Sequence, residues 1–169
     1  NEEAFLEQCL NSVKDIVDEI VIVDTGSTDK TKEIAKRFNA KVFDFEWADD
    51  FSAARNESIK HATKDWILVI DADEVIEKKD LEEIKNEVEN ANDFVGFSLE
   101  QRSYMNNFFE GAVKNDSDFQ LVKDYPFYIP HSLVRLFKNR LGLKFKHRIH
   151  ELIEDSIIEK NLKYKKIDA

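Results

Sequence analysis

The sequence predicts an α/β domain built on a doubly wound, mainly parallel sheet with helices on both faces. Three observations carry that prediction. Short β-branched runs alternate with amphipathic stretches over residues 1–100, the runs at 20–23 and 66–70 are apolar throughout, and an aspartate follows each of these two runs. A continuous apolar run of that length marks a strand buried on both faces, which is the rule in parallel sheets. Strands that alternate with helices imply crossover units, and ligands of such sheets bind outside the carboxyl ends of the strands.

Taken in order, Phe5, Leu6, Cys9, Leu10 and Val13 recur at helical spacing against a polar face of Glu7, Gln8, Asn11 and Lys14, so the first segment reads as an amphipathic helix. Residues 20–23 form a strand ending at Asp24. The T-G-S-T-D stretch at 25–29 then turns the chain and offers caps to a helix running to about Phe38. Residues 41–45 read as a strand, 51–61 as a helix, 66–70 as a strand, 81–88 as a helix and 94–99 as a strand. Over 101–130 the periodicity fails and aromatic residues crowd in: Tyr104, Phe108, Phe109, Phe119, Tyr125, Phe127 and Tyr128. That segment reads as a partly ordered insertion or lid whose rings either form a local core or stack on sugars. Residues 133–138 and 145–149 read as later strands, followed by a charged, weakly amphipathic tail.

The 169 residues suffice for one ordinary core, so a single domain is expected over 1–169. The formal charge of −10 argues against nucleic acid as a partner, because phosphate backbones are gripped by clustered Lys and Arg, whereas here basic residues are dispersed among acids. An acidic protein can still bind a nucleoside diphosphate when a divalent cation stands between its carboxylates and the phosphates. Cys9 is the only cysteine, which excludes an internal disulfide and fits a reducing compartment. The cytoplasm is therefore the expected location. No apolar run approaches a membrane span and no signal-peptide pattern opens the chain, so membrane association is expected only as peripheral contact at the inner face.

The stretch carrying the chemistry is Asp71-Ala72-Asp73-Glu74, directly after W-I-L-V-I. Alternation along a strand would project Asp71 and Asp73 to the same side. A pair of carboxylates suits Mg²⁺ or Mn²⁺, which prefer oxygen ligands and keep positions for water or phosphate. Isolated acids after a strand are commonly turn residues. The second strand-end acid, Asp24, favours function here.

The stretches N-E-E, I-V-I-V-D-T-G-S-T-D-K-T, F-S-A-A-R-N, W-I-L-V-I-D-A-D-E, and later R-L-F-K-N followed by H-E, occur in that order over residues 1–151. Together they resemble the family 2 glycosyltransferases of the GT-A fold, closest to the subgroup resembling lipopolysaccharide-core glucosyltransferases. The resemblance implies an inverting, metal-assisted transfer of a sugar from a nucleoside-diphosphate donor, UDP above all, to a saccharide or lipid-linked saccharide acceptor. It makes 1–100 the nucleotide-sugar-binding part and 101–169 the acceptor side. By matching position, Asp24 would accept from the N3–H of uracil, and Arg55 would reach the base or diphosphate. Asp71 would contact ribose or metal-bound water, and Asp73 would be the main metal ligand for Mn²⁺ or Mg²⁺. Glu2 and Asn56 look like residues shaping the nucleotide site. An inverting transfer also needs a general base opposite the leaving group, and the resemblance nominates Glu151. His150 could bind metal or phosphate, while His147 matches less well. A lone histidine is more often structural or solvent-facing.

The resemblance also sets two departures. The family begins with an apolar strand just before N-E-E that is absent from this chain, so its neighbours are expected to lack a pairing partner. The tail ends before later acceptor-binding elements. Two rival classes remain at this point: a haloacid-dehalogenase-like phosphotransferase, which also places D-x-D after an apolar strand, and a nucleotide-sugar-binding module without turnover. Against the first, D-A-D-E follows two β-α units instead of opening the domain.

Overall fold

The computed structural model describes residues 1–167. The first helix, α1 (Leu6–Val13), forms where the spacing predicts it, and Leu6, Cys9, Leu10 and Val13 are all buried. Leu6 and Leu10 pack on Ile34 and Ala35 of α2 (Thr31–Arg37), over Ile22 of β1 (Val21–Asp24) and Val42 of β2 (Lys41–Asp44). β1 and β2 pair in parallel from Val21 opposite Lys41 to Asp24 opposite Asp44, which brings the carboxyl end of both strands to one edge. α3 (Phe51–His61) occupies the predicted span, with Asp50 accepting from the Ala53 N–H at 3.0 Å as its N-cap.

The larger sheet runs in the order β3 (Trp66–Leu68), β6 (Phe127–Lys138), β4 (Phe94–Met105) and β7 (Lys163–Lys166), with β5 (Val113–Lys114) joining β6. Its two faces are both apolar. Val95, Val134 and Phe137 pack with Ile153 and Ile157, the latter on α5 (Glu154–Glu159), and with Ile59 of α3. Phe97 and Leu136 face Ile84 and Val88 of α4 (Asp80–Glu89) on the other side. Helices on both faces of an α/β sheet are thus as expected.

The structure refines the expected pairing. β1/β2 and β4/β7 are parallel, whereas β6 is antiparallel to β3, β4 and β5. The cause lies in residues 101–130. Where the sequence loses its period, β4 runs on to Met105 and β6 begins at Phe127, so the two form a long antiparallel ribbon. Tyr104 packs near Tyr125 and Tyr128, and Phe108 meets Phe127 edge-on, while Phe108 and Phe109 remain exposed. The strand expected at 145–149 does not form. His147 and His150 both adopt positive φ (72° and 56°), which turns the chain away from an extended path and leaves only an isolated bridge between Lys146 and Leu152. The charged tail supplies α5 and β7.

Among the described residues, β1 pairs only with β2 and β3 only with β6, so each has one unpaired edge. Between them lies a groove of about 1030 Å³ lined by Val21, Ile22 and Val23 on one side and Trp66, Ile67 and Leu68 on the other, with Leu10 and Val13 of α1 beside them. No described helix is long and apolar enough to cross a membrane.

Glu19 ties the entry of this region together. Its carboxylate accepts from Lys41 Nζ at 2.5 Å, Thr63 N at 2.7 Å and Thr63 Oγ1 at 3.0 Å. The Lys41 bond is the main cause that holds its pKa at about 2, down from 4.5. A depressed carboxyl stabilises the fold above its unfolded value and loses that contribution as pH falls through the folded one. Resistance to unfolding by urea is therefore expected to fall as the pH drops from 4.5 to about 2, and Glu19→Gln should flatten that part of the profile. An unaltered acid limb in the variant would refute the assignment.

Candidate active site

Asp24 ends β1 as a buried acid. Its Oδ2 accepts from the N–H groups of Gly26 (3.1 Å) and Ser27 (3.0 Å), and Lys32 lies 3.2 Å away. Burial raises the carboxyl's pKa, but the Ser27, Gly26 and Lys32 interactions outweigh it, and the net shift is downward. Gly26 takes φ +116° in this turn, a region open to glycine. Oδ1 has no hydrogen-bond partner among the described residues. Glu2 meets this turn through its backbone, where its N–H donates to Thr31 Oγ1 at 2.7 Å; its side chain makes no hydrogen bond among the described residues. Asn1 and Glu3 likewise accept from Thr28 N and Lys30 N.

The D-A-D-E stretch departs from strand alternation. β3 ends at Leu68, and Asp71 to Glu74 form a turn in which Glu74 N donates to Asp71 O (3.0 Å) and Asp71 N donates to Glu74 Oε2 (2.7 Å). Asp71 and Asp73 consequently do different things. Arg55 Nη2 binds Asp71 Oδ1 at 2.7 Å and Arg135 Nη2 binds Oδ2 at 3.2 Å. Burial pushes the Asp71 carboxyl up, and the two guanidiniums pull it below its ordinary value. Asp73 is exposed and makes neither a hydrogen bond nor an ion pair among the described residues.

Arg55 is the hinge of the site. From the face of α3 it donates Nε to Glu151 Oε1 at 2.5 Å while holding Asp71, and its guanidinium lies 5.6 Å from the Phe145 ring centre. Asn56, next on the helix, pairs with the backbone of Phe145 in both directions, Nδ2 to O at 2.9 Å and N to Oδ1 at 2.8 Å. It fixes the loop that carries Glu151. Arg55, Asp71, Arg135, His150 and Glu151 all line one cavity of about 610 Å³. Glu151 leaves Oε2 without a partner among the described residues.

Two participants have no role assigned from sequence, Arg135 and Gln101, and Glu74, part of the D-A-D-E stretch, joins them. The β4/β6 register passes from Phe97 opposite Leu136 to Ser98 opposite Val134, so Arg135 occupies a bulge with no opposing residue. Bulges re-aim side chains beside functional sites. This one directs Arg135 to Asp71, to Glu74 Oε1 (3.0 Å) and to Gln101 Oε1 (3.2 Å), and Gln101 also bonds Glu74. Burial raises the Glu74 carboxyl despite Arg135. The only sequence signal for Arg135 is its place in R-L-F-K-N.

The three carboxylate and imidazole groups expected around a metal do not converge. Asp71 is taken by arginines, and His150 is exposed on the Glu151 loop. Among the described residues no set of three or more His, Cys, Asp and Glu forms a metal cage. Asp73 alone remains an unengaged carboxylate there, which fits a cation held chiefly by water and phosphate. His147 pairs with Asp155 at 2.6 Å.

The fold is α/β, with Asp24 at the carboxyl end of β1 and Asp71 in the turn that follows β3. The family model described as Glycosyl transferase family 2 matches residues 1–150, and the chain belongs to that family. That membership weighs against the phosphotransferase alternative. It is similar to a TPR repeat-containing protein of Synechococcus elongatus, 37% identical over 94% of this chain and 34% of that protein. An uncharacterized glycosyltransferase of Rickettsia bellii is 31% identical over 94% of this chain and 49% of its own length. The glycosyltransferase SunS of Bacillus subtilis is 46% identical over 47% of this chain and 19% of that protein. The chain thus spans half or less of the length of these relatives. Among solved structures, residues 1–349 of Staphylococcus aureus TarS in complex with UDP align with a TM-score of 0.50 at 25% identity, over 71% of this chain and 37% of that one. The longer TarS structure aligns with a TM-score of 0.57 at 20% identity, over 86% and 29%, a likeness of fold.

Removing Arg135 would leave Glu74 and Gln101 short of a partner. Arg135→Ala should lower the unfolding free energy by about 1–3 kcal/mol, the cost of orphaned polar groups. Arg135→Lys should recover only part of it, because an ammonium lacks the guanidinium fork. Equal stability of all three proteins by urea denaturation would contradict the bulge's role.

Proposed function

We propose that the chain carries the catalytic part of an inverting transferase that moves a sugar from a nucleoside-diphosphate donor, UDP foremost, to a hydroxyl of a saccharide or lipid-linked saccharide. The observation supporting this most is that Arg55 joins Asp71 to Glu151 across one cavity, so an acid at the strand end and a candidate base share a single space. The complex of TarS with UDP supports the choice of nucleotide. Residues 1–100 would hold the donor, and residues 101–169, with Glu151 and Arg135, would form the acceptor side of one domain.

Each residue has a role suited to its surroundings. Asp24, ionised and with Oδ1 free, would accept from the uracil N3–H. Asp71, fixed by two arginines, would orient the ribose. Arg55 has an unused Nη1 and would meet the diphosphate by charge-assisted hydrogen bonds. Glu2 would close the nucleotide turn from the side. Asp73 would hold Mn²⁺ or Mg²⁺, and a cation there would offset the charge of the departing diphosphate. Glu151 Oε2 would take the proton of the attacking hydroxyl, while the hydroxyl oxygen bonds to the anomeric carbon and the carbon–phosphate oxygen bond breaks on the opposite side. His150 borders the same cavity and would contact the acceptor or a phosphate.

Calorimetric titration with UDP, GDP, CDP and ADP, with and without Mn²⁺, tests the donor side. Binding of UDP that depends on the metal is expected, and Asp73→Ala should weaken it by roughly tenfold or more, about 1.4 kcal/mol. Indifference to the base or the cation counts against the reading. On the acceptor side, Glu151→Gln should reduce transfer about 10²–10⁴-fold with UDP affinity nearly preserved; a comparable loss of UDP affinity would move Glu151 to the donor side.

A further inference from the structure

Trp47 is held in a fixed orientation and yet remains 39% exposed. Its indole Nε1 donates to Asp49 Oδ1 at 2.9 Å, and Phe51 meets the ring edge-on with centroids 4.8 Å apart. The loop beneath is tied down as well. Arg148 donates from Nε to Asp49 O (3.2 Å) and from Nη2 to Ala48 O (3.3 Å), and Phe51 N donates to Arg148 O (3.0 Å). A large ring restrained from several sides but absent from each of the three buried clusters serves no core. Its position is suited to a ligand. The loop follows β2, at the carboxyl end shared with Asp24, where ligands of such sheets bind.

We propose that Trp47 is the stacking platform for the donor's nucleobase, at the carboxyl end of the β1/β2 pair where Asp24 also lies, an assignment that rests on the nucleotide-sugar reading above. Trp47 lines the groove that also reaches Thr25, Asp71 and Ala72, whereas the smaller cavity containing Glu151, His150 and Glu154 does not include it. A flat heteroaromatic ring gains from the indole face whatever its hydrogen-bonding edge, leaving Asp24 to read that edge. Arg148, by bonding both the Trp47 loop and the segment next to His150, would hold the base platform in register with the loop of the candidate general base.

The test compares the unsubstituted chain with Trp47→Leu and Trp47→Phe by calorimetry, using UDP and inorganic pyrophosphate as probes in the presence of Mn²⁺. Trp47→Leu should weaken UDP about tenfold, Trp47→Phe should keep most of the affinity, and pyrophosphate should bind all three proteins alike. The chain has two tryptophans, so Trp66→Phe leaves Trp47 as the sole indole, and UDP should quench its fluorescence where pyrophosphate does not. This second readout decides the matter should the leucine variant not fold. Unchanged UDP affinity in Trp47→Leu, an equal loss for pyrophosphate, or no quenching in Trp66→Phe overturns the proposal while UDP binding by the unsubstituted chain leaves the broader reading intact. Absence of UDP binding by the unsubstituted chain overturns both.

Discussion

Arg55 holds the cavity together. It stands on α3 with one guanidinium edge on Asp71 and another on Glu151, residues 96 positions apart from it in the second case. A guanidinium can serve two carboxylates at once because its donors radiate in a rigid plane, something an ammonium cannot reproduce. The position of Glu151 therefore depends on α3, and that of α3 on its own supports: the Asp50 cap, the Asn56 grip on Phe145, and Ile59 in the apolar cluster with Val134 and Ile157. Each support orients the arginine from outside the cavity.

The carboxylates of D-A-D-E divide their work for the same reason. Asp71 and Glu74 face inward to Arg135, whose bulge in β6 delivers it to a place that regular pairing would deny. Asp73 occupies the outer corner of the turn. Three acids close together in sequence thus acquire three environments: one pulled down by two cations, one pushed up by burial, and one open to solvent.

Most helices and strands of the first hundred residues were readable because their apolar periods are long and uninterrupted, and α3 was placed at its observed span. The antiparallel ribbon of β4 and β6 was not readable. Its outer halves alternate weakly and are solvated, so the pattern that marks a strand is missing from Gln101 to Met105 and from Phe127 to Ile129. Residues 145–149 alternate Phe145, His147 and Ile149 with Lys146 and Arg148 like a strand, but the left-handed conformations of His147 and His150 belong to no sequence period. In the site, Asp24, Arg55, Asp71 and Glu151 could be named from motif position, and the last three do meet. Arg135 could not, since one arginine in an otherwise apolar strand carries no signal of the bulge that aims it. The idea that Asp71 and Asp73 share a strand face failed because β3 ends at Leu68, before alternation reaches them.

Charge completes the argument. Asp71, Glu74 and Glu151 oppose only Arg55 and Arg135, so the cluster is formally negative before a diphosphate arrives, and Asp73 adds to that charge. An anion entering a partly desolvated space of the same sign is repelled more strongly than it would be in water. Two groups in the structure can relieve the conflict. Burial raises the Glu74 carboxyl, which lessens its charge, and Asp73 would be free to share a divalent cation with the phosphates. Only the second would bring positive charge to a leaving group, because Glu74 is engaged by Arg135 and Gln101. The exposed position of Asp73 is thus the feature that would let a net-negative cleft serve the negatively charged donor proposed above.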